Sequence, residues 1–281
     1  MGTSQSSTGS PPGVPMVPPW VPDVSPPDAQ DGDNDVDIQT SLPTDERPAL
    51  PQPVVVAPRG RFGPSRASLG NYANSGSAYD MRRGLGHYVG KGLGGASTAV
   101  RRFGGTARTA SALYDALATI ASGQAATVDG RLDSTLLAAR SANEVMDAVV
   151  ESIRPVDGTQ DAEASRIAIR DALSELLNRF PDADLLRLSE EERLFAIERY
   201  VALDINARFR LDVGKSIQDR APSPLTALSR FREVKDYIKE TVSAAFRQMR
   251  NVSQQLSAEG IVGIVRQALY DTFRVFEDYV T

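Results

Sequence analysis

Apolar residues recur every three or four positions through most of the C-terminal part of the chain, the spacing of helices that bury one face. Leu113, Leu117 and Ile120 form one stripe, and Val145, Val149, Val150 and Ile153 form a second. Ile167, Ile169, Leu173, Leu176, Leu177 and Phe180 form a third. The helix ends are also written in the sequence. Ser141 with Glu144, and Ser189 with Glu192, have the spacing of capping boxes, in which serine and glutamate satisfy amide donors reciprocally. Pro155 and Gly158 close the second stripe, and Pro181 closes the third. The Ser189 box opens a long helix through Leu194, Ile197, Val201, Ile205 and Phe209. From Val201 to Val213 the apolar residues also alternate at period two, as in a strand; the cap and the i, i+4 series favour helix. Pro222 and Pro224 precede a helix near 225–256. Ser257 caps a last one near 258–279, with Ile261, Ile264, Val265, Leu269 and Phe273 on its inner face. The expected fold is mostly α: a bundle of about four to six helices in the C-terminal two-thirds of the chain.

The rest of the chain is of a different kind. Residues 1–58 hold 13 of the 18 prolines, with 8 acidic residues against 1 basic. Asp28, Asp31, Asp33, Asp35 and Asp37 repel one another, and this segment reads as a disordered tail. Residues 59–110 hold 12 of the 22 glycines, with 9 basic residues against 1 acidic. Two short helices are expected in it, near 77–91 and 95–122. Three segments follow: a tail (1–58), a basic glycine-rich stretch (59–110) and a helical domain (111–281).

Composition excludes much chemistry. With no cysteine there is no disulfide, thiolate nucleophile or cysteine-ligated metal. The one histidine, His87, is too few for a His-rich zinc site, and a catalytic triad would rest on it alone. Gly86-His87-Tyr88-Val89-Gly90-Lys91 has three residues between its glycines where a phosphate loop needs four, and Gly92 stands where that loop needs Ser or Thr. The run Gly84–Gly90 is one residue too long for a dinucleotide fingerprint, and no strand leads into it. Glu190, Glu191 and Glu192 fit a helix N-terminus, where negative charge is favourable. The expectation is a non-enzymatic protein without a cofactor. No apolar run reaches the roughly 18 residues of a membrane span, and no secretory signal opens the chain, so a cytoplasmic protein is expected.

Two features invite partners. Arg59-Gly60-Arg61-Phe62-Gly63 and Arg101-Arg102-Phe103-Gly104-Gly105 look like the Arg/Gly segments that hold single-stranded nucleic acid by charge and stacking. Trp20, the only tryptophan, stands in Pro18-Pro19-Trp20-Val21-Pro22, with Met16 and Val17 beside it. A polyproline segment loses little entropy on docking, and the indole is a large apolar anchor. At the start, Met1-Gly2-Thr3-Ser4-Gln5-Ser6-Ser7 leaves an unhindered Gly2 amine once Met1 is removed. Its pKa of about 8 gives a usable nucleophilic fraction near neutral pH. Ser6 also completes the loose myristoylation pattern.

This terminus, a glycine/proline spacer and Pro15-Met16-Val17-Pro18-Pro19-Trp20-Val21-Pro22-Asp23 together resemble the start of the QatB family, part of a four-protein bacterial anti-phage defence system. The stretch from Leu85 to Gly95 followed by Ala99-Val100-Arg101-Arg102, and Leu211-Asp212-Val213-Gly214, are similar to that family as well. The resemblance implies three partners: an ATPase, a QueC-like protein and a TatD-like nuclease. QueC enzymes use ATP to activate a 7-carboxy-7-deazaguanine carboxylate and join it to an amine. The resemblance therefore implies that Gly2 is the acceptor amine of a QueC-like partner, with Thr3 and Ser4 bonded inside its pocket and Trp20 anchoring the tail outside. The alternative is a nucleic-acid-binding subunit using Arg59, Arg61, Arg101 and Arg102.

Overall fold

The computed structural model describes residues 57–123, Leu132, 137–250 and 258–280. Nine α-helices and one π-helical segment make up these residues, and no strand occurs among them. The helices are α1 (Gly63–Ser75), α2 (Ala78–His87), α3 (Ala96–Arg102), α4 (Gly104–Ala121), α5 (Ala142–Ile153), α6 (Gln160–Arg179), α7 (Glu190–Arg220), α8 (Pro224–Arg250) and α9 (Ala258–Glu277). The π-helical segment Tyr88–Leu93 continues directly from α2. The helical class expected from the periodicity is the class observed.

Helix α7 is the axis. It is 31 residues long, about 46 Å at 1.5 Å per residue, and α1, α4, α6 and α8 pack around it. A helix surrounded in this way must be apolar on all sides. Every residue from Tyr200 to Asn206 is buried, which is why a period-two pattern also fits the stretch. The strand reading therefore falls away: Val201, Leu203 and Ile205 are buried, and so are Ala202, Asp204 and Asn206 between them. Helix α9 closes the other side, against α3, α4 and α8.

Both predicted capping boxes form. Ser141 accepts from the Glu144 amide while Glu144 Oε2 accepts from the Ser141 amide at 2.8 Å; at Ser189 and Glu192 the return bond is 2.7 Å. Each cap is worth about 1 kcal/mol. Ile167 departs from its predicted stripe: it is 59% exposed, while Ile169, Leu173 and Leu176 turn inward. The expected helix 95–122 is two helices, broken at Phe103, whose ring is buried edge-on against Phe273 at 5.0 Å. The helix after Pro224 ends at Arg250. Ser257 lies outside the described residues.

Helix α1 was not expected. Its buried face is Ser65, Ser68, Leu69, Gly70, Tyr72 and Ala73, too small and mixed to register as a stripe. Small residues allow close approach instead. The Ser65 hydroxyl donates to the Gly84 carbonyl at 2.8 Å, tying α1 to α2. At Gly86 a Cβ would stand 2.9 Å from the Phe276 carbonyl oxygen of α9, so only glycine lets α2 lie there. One core runs from Phe62 to Phe276, and the glycine-rich stretch contributes Leu69, Leu85, Val89, Leu93 and Phe103 to it.

These distances separate two neighbouring glycines. Gly86→Ala meets backbone and should destabilise the fold by about 1–3 kcal/mol. At Gly90 the nearest atom to a new Cβ is 3.9 Å away; Gly90→Ala should be neutral or stabilising by up to about 1 kcal/mol. Denaturant unfolding of the two variants checks this, and equal losses would contradict the packing described.

Candidate functional site

The site grows from a tyrosine in the glycine-rich stretch. Tyr88 opens the π-helical segment and is buried. Its ring stacks on Phe62 at 5.7 Å and meets Phe209 of α7 edge-on at 5.3 Å. Phe62 fits because residue 92 is glycine: a Cβ there would stand 2.4 Å from the Phe62 ring. The Tyr88 hydroxyl donates to Asp212 Oδ2 of α7 at 3.0 Å. Arg66 of α1 donates to the Asp212 carbonyl at 2.8 Å. The two internal family-like patches, at 85–102 and 211–214, thus meet in one hydrogen bond.

Burial raises the Asp212 pKa above the usual carboxylate value; the Tyr88 bond and the charges of Arg102 and Arg61 pull the other way without cancelling it. Burial and Asp212 push the Tyr88 phenol well above its normal range. Arg61 lies over the Phe62 ring at 5.0 Å; burial and the like charge of Arg102 lower its pKa, against the opposing pull of Asp212.

Tyr88 and Asp212 form one end of a cleft of about 560 Å³. Arg102, Arg108, Arg154 and Arg208 line it, against Asp161 and Asp212. Arg208 is the most committed: it bonds Asp204 Oδ2 at 3.2 Å, faces Asp161 at 3.7 Å and covers the Phe103 ring at 4.9 Å. Asp204 is fully buried and also accepts from Thr106 at 2.6 Å, pinning α4 to α7. Arg108 is exposed at the mouth, and the buried Nε of Arg154 has no hydrogen-bond partner. The arrangement suits an anion. Among the described residues none hydrogen-bonds the buried Nδ1 of His87. Burial, then Arg83 and Lys91, lower the His87 pKa below the usual imidazole value. Among the described residues no group of three or more metal-ligating side chains converges, and no helix is long and apolar enough to cross a membrane.

The candidate residues picked out by the sequence divide in the structure. Gly2, Thr3, Ser4, Pro18, Pro19 and Trp20 lie outside the described residues. Arg61 and Arg102 come together around Asp212. Arg59 is exposed at the start of the described chain, and Arg101 does not line the cleft. Sequence reasoning missed Arg108, Arg154, Arg208 and Asp161, which come from four helices or their edges and share no local motif. Asp212 had a signal, its place in a family-like patch.

A family model described as Qat anti-phage system associated protein QatB matches residues 94–276. The chain belongs to the QatB family, and so is a component of the Qat anti-phage system. No curated protein and no solved structure matches it.

The Asp212 carboxyl has a raised pKa, so the stability it contributes is present below its unfolded pKa of about 3.9 and lost as pH rises through the folded value. Asp212→Asn keeps an acceptor for Tyr88 and removes the disfavoured charge. At pH 7 it should be at least as stable as the parent, and the balance should shift toward the parent as pH falls to about 4. Melting temperatures across that range decide it. A variant markedly weaker at pH 7 that recovers in acid would show Asp212 held charged as the counter-ion of the arginines.

Proposed function

We propose that this QatB-family chain is a non-enzymatic adaptor whose N-terminal glycine is modified by a QueC-like partner. The observation that carries the reading is the terminus itself: an unhindered Gly2 amine at the head of a proline-rich tail, in a chain of this defence family. The chemistry balances. The partner joins the substrate carboxylate to AMP at the expense of ATP, releasing pyrophosphate. The Gly2 amine attacks the activated carbonyl, a C–N bond forms, AMP leaves with the electron pair of the C–O bond, and the amine loses a proton. Thr3 and Ser4 bond within the partner's pocket. Pro18, Pro19 and Trp20 hold the tail outside it. The helical body keeps the complex together, with the ATPase and the TatD-like nuclease as further partners.

The body's construction supports this division. Ties such as Thr106–Asp204 and Tyr88–Asp212 fix its helices to one another, as a scaffold that holds partners requires. A second reading, phosphate contact by the basic stretch through Arg59, Arg61, Arg101 and Arg102, draws support from the cleft that Arg102 and Arg108 share. Such binding falls steeply with salt, whereas docking through Trp20 and the prolines does not.

Intact-mass spectrometry of the chain co-expressed with the QueC-like protein tests the leading reading. The expected result is a gain on the N-terminal peptide equal to the acid less one water, absent without the partner. Gly2→Phe blocks removal of Met1 and should abolish both the gain and phage protection. A gain that persists in Gly2→Phe, or an unmodified Gly2 beside an active partner, contradicts it.

A further inference from the structure

A second cleft, of about 720 Å³, adjoins the arginine-lined one and shares Leu211 with it. It runs between the C-terminal half of α7 and the first turns of α8, and its character is different. Leu211, Gly214, Pro222, Leu228 and Phe231 give it an apolar floor and walls. Leu211 is 41% exposed, Leu228 61%, and Leu225, in the first turn of α8, 78%. Leu211 and Leu228 line the groove and Leu225 follows its Pro224 in sequence, an exposed apolar surface of a kind that a lone globular body seldom leaves open. Arg210 and Lys215 form a basic rim, with the Arg210 guanidinium over the Phe231 ring at 4.7 Å.

We propose that this groove is the docking site of the chain's own segment Val14–Val24, with Trp20 as the anchor. Three observations select that occupant. The first is where the tail joins the body. The described chain begins at Ala57, and within ten residues Arg66 donates to the Asp212 carbonyl, one residue along α7 from Leu211. The 36 residues between Trp20 and Ala57 could reach about 120 Å at full extension. The groove is therefore within reach, and the tether makes docking an intramolecular event. The second is shape and chemistry. A sequence such as Pro18-Pro19-Trp20-Val21-Pro22 favours the extended polyproline form, which apolar grooves with an aromatic wall accept. The third is charge. Asp23 follows Trp20 by three residues and the aspartates from Asp28 to Asp37 come next, opposite the basic rim and the arginine-lined cleft beyond Leu211.

The consequence concerns the reaction proposed above, on which the docking itself does not rest. In the chain without a partner, an anchor at Trp20 leaves residues 2–13 as a leash, so Gly2 is held within a fixed radius of the body until Trp20 passes from the groove to the partner.

Trp20 is the only tryptophan in the chain, so its fluorescence reports the tail with no background from the body. The experiment uses the full chain without any partner, with a peptide of residues 14–24 as the exposed reference. The proposal expects Trp20 emission blue-shifted from the peptide's, and shielded from acrylamide. Leu228→Asp and Leu211→Asp, both exposed lining positions of the groove, should each return emission and quenching toward the peptide's values. Tyr79→Ser, exposed on α2, should leave them unchanged. Peptide-like fluorescence in the parent chain overturns the proposal. So does shielding that survives both leucine changes, or shielding lost on dilution, which assigns the groove to a second copy. Because no QueC-like enzyme is present, these outcomes are separate from whether Gly2 is conjugated.

Discussion

The packing of Tyr88 is the constraint on which the N-terminal half of the body depends. Its ring needs Phe62 on one side and Phe209 on the other, and its hydroxyl needs Asp212. Phe62 can take its place only because residue 92 has no side chain. These contacts join a stretch whose composition suits a flexible basic segment to the central helix of the bundle. The high glycine content serves close approach: α1, α2 and the π-helical segment lie nearer to one another and to α9 than larger residues would permit. Glycines that weaken isolated helices by up to about 1 kcal/mol each are tolerated here because tertiary contact replaces intrinsic propensity.

The same packing explains what could be read from the sequence. The helices with one wet face, α5, α6 and α9, carry their stripes openly, and the two serine–glutamate boxes marked starts to the residue. Helix α7 was legible through its cap but ambiguous in its middle, since burial on every side erases the contrast between periods of two and 3.6. Helix α1 gave no signal: serine, glycine and alanine bury its face, and close packing, not hydrophobic size, holds it. The arginine-lined cleft was half-visible. Arg102 and Asp212 stood in family-like patches, while Arg108, Arg154 and Arg208 are single residues on different elements, united only by the fold.

The molecule divides chemistry between two parts. The body contains buried polar ties that fix helices to one another: Asp204 with Thr106, and Ser165 with Tyr200. Such groups are costly to bury unless paired, so they specify register rather than reactivity. The reactive group in our reading is a primary amine at the far end of a proline-rich tail. Two clefts meet at Leu211, one lined by arginines and one largely apolar.

Phe62, stacked on Tyr88, holds the glycine-rich helices to the bundle. Thermal unfolding of two shortened chains tests this most directly. Removing residues 1–56 leaves every described member of the core in place, and the melting temperature should change little. Removing residues 1–62 deletes the Phe62 ring and should lower it by about 10 °C. Equal melting temperatures for the two shortened chains would mean that Phe62 does not hold the glycine-rich helices to the bundle, and would contradict the account.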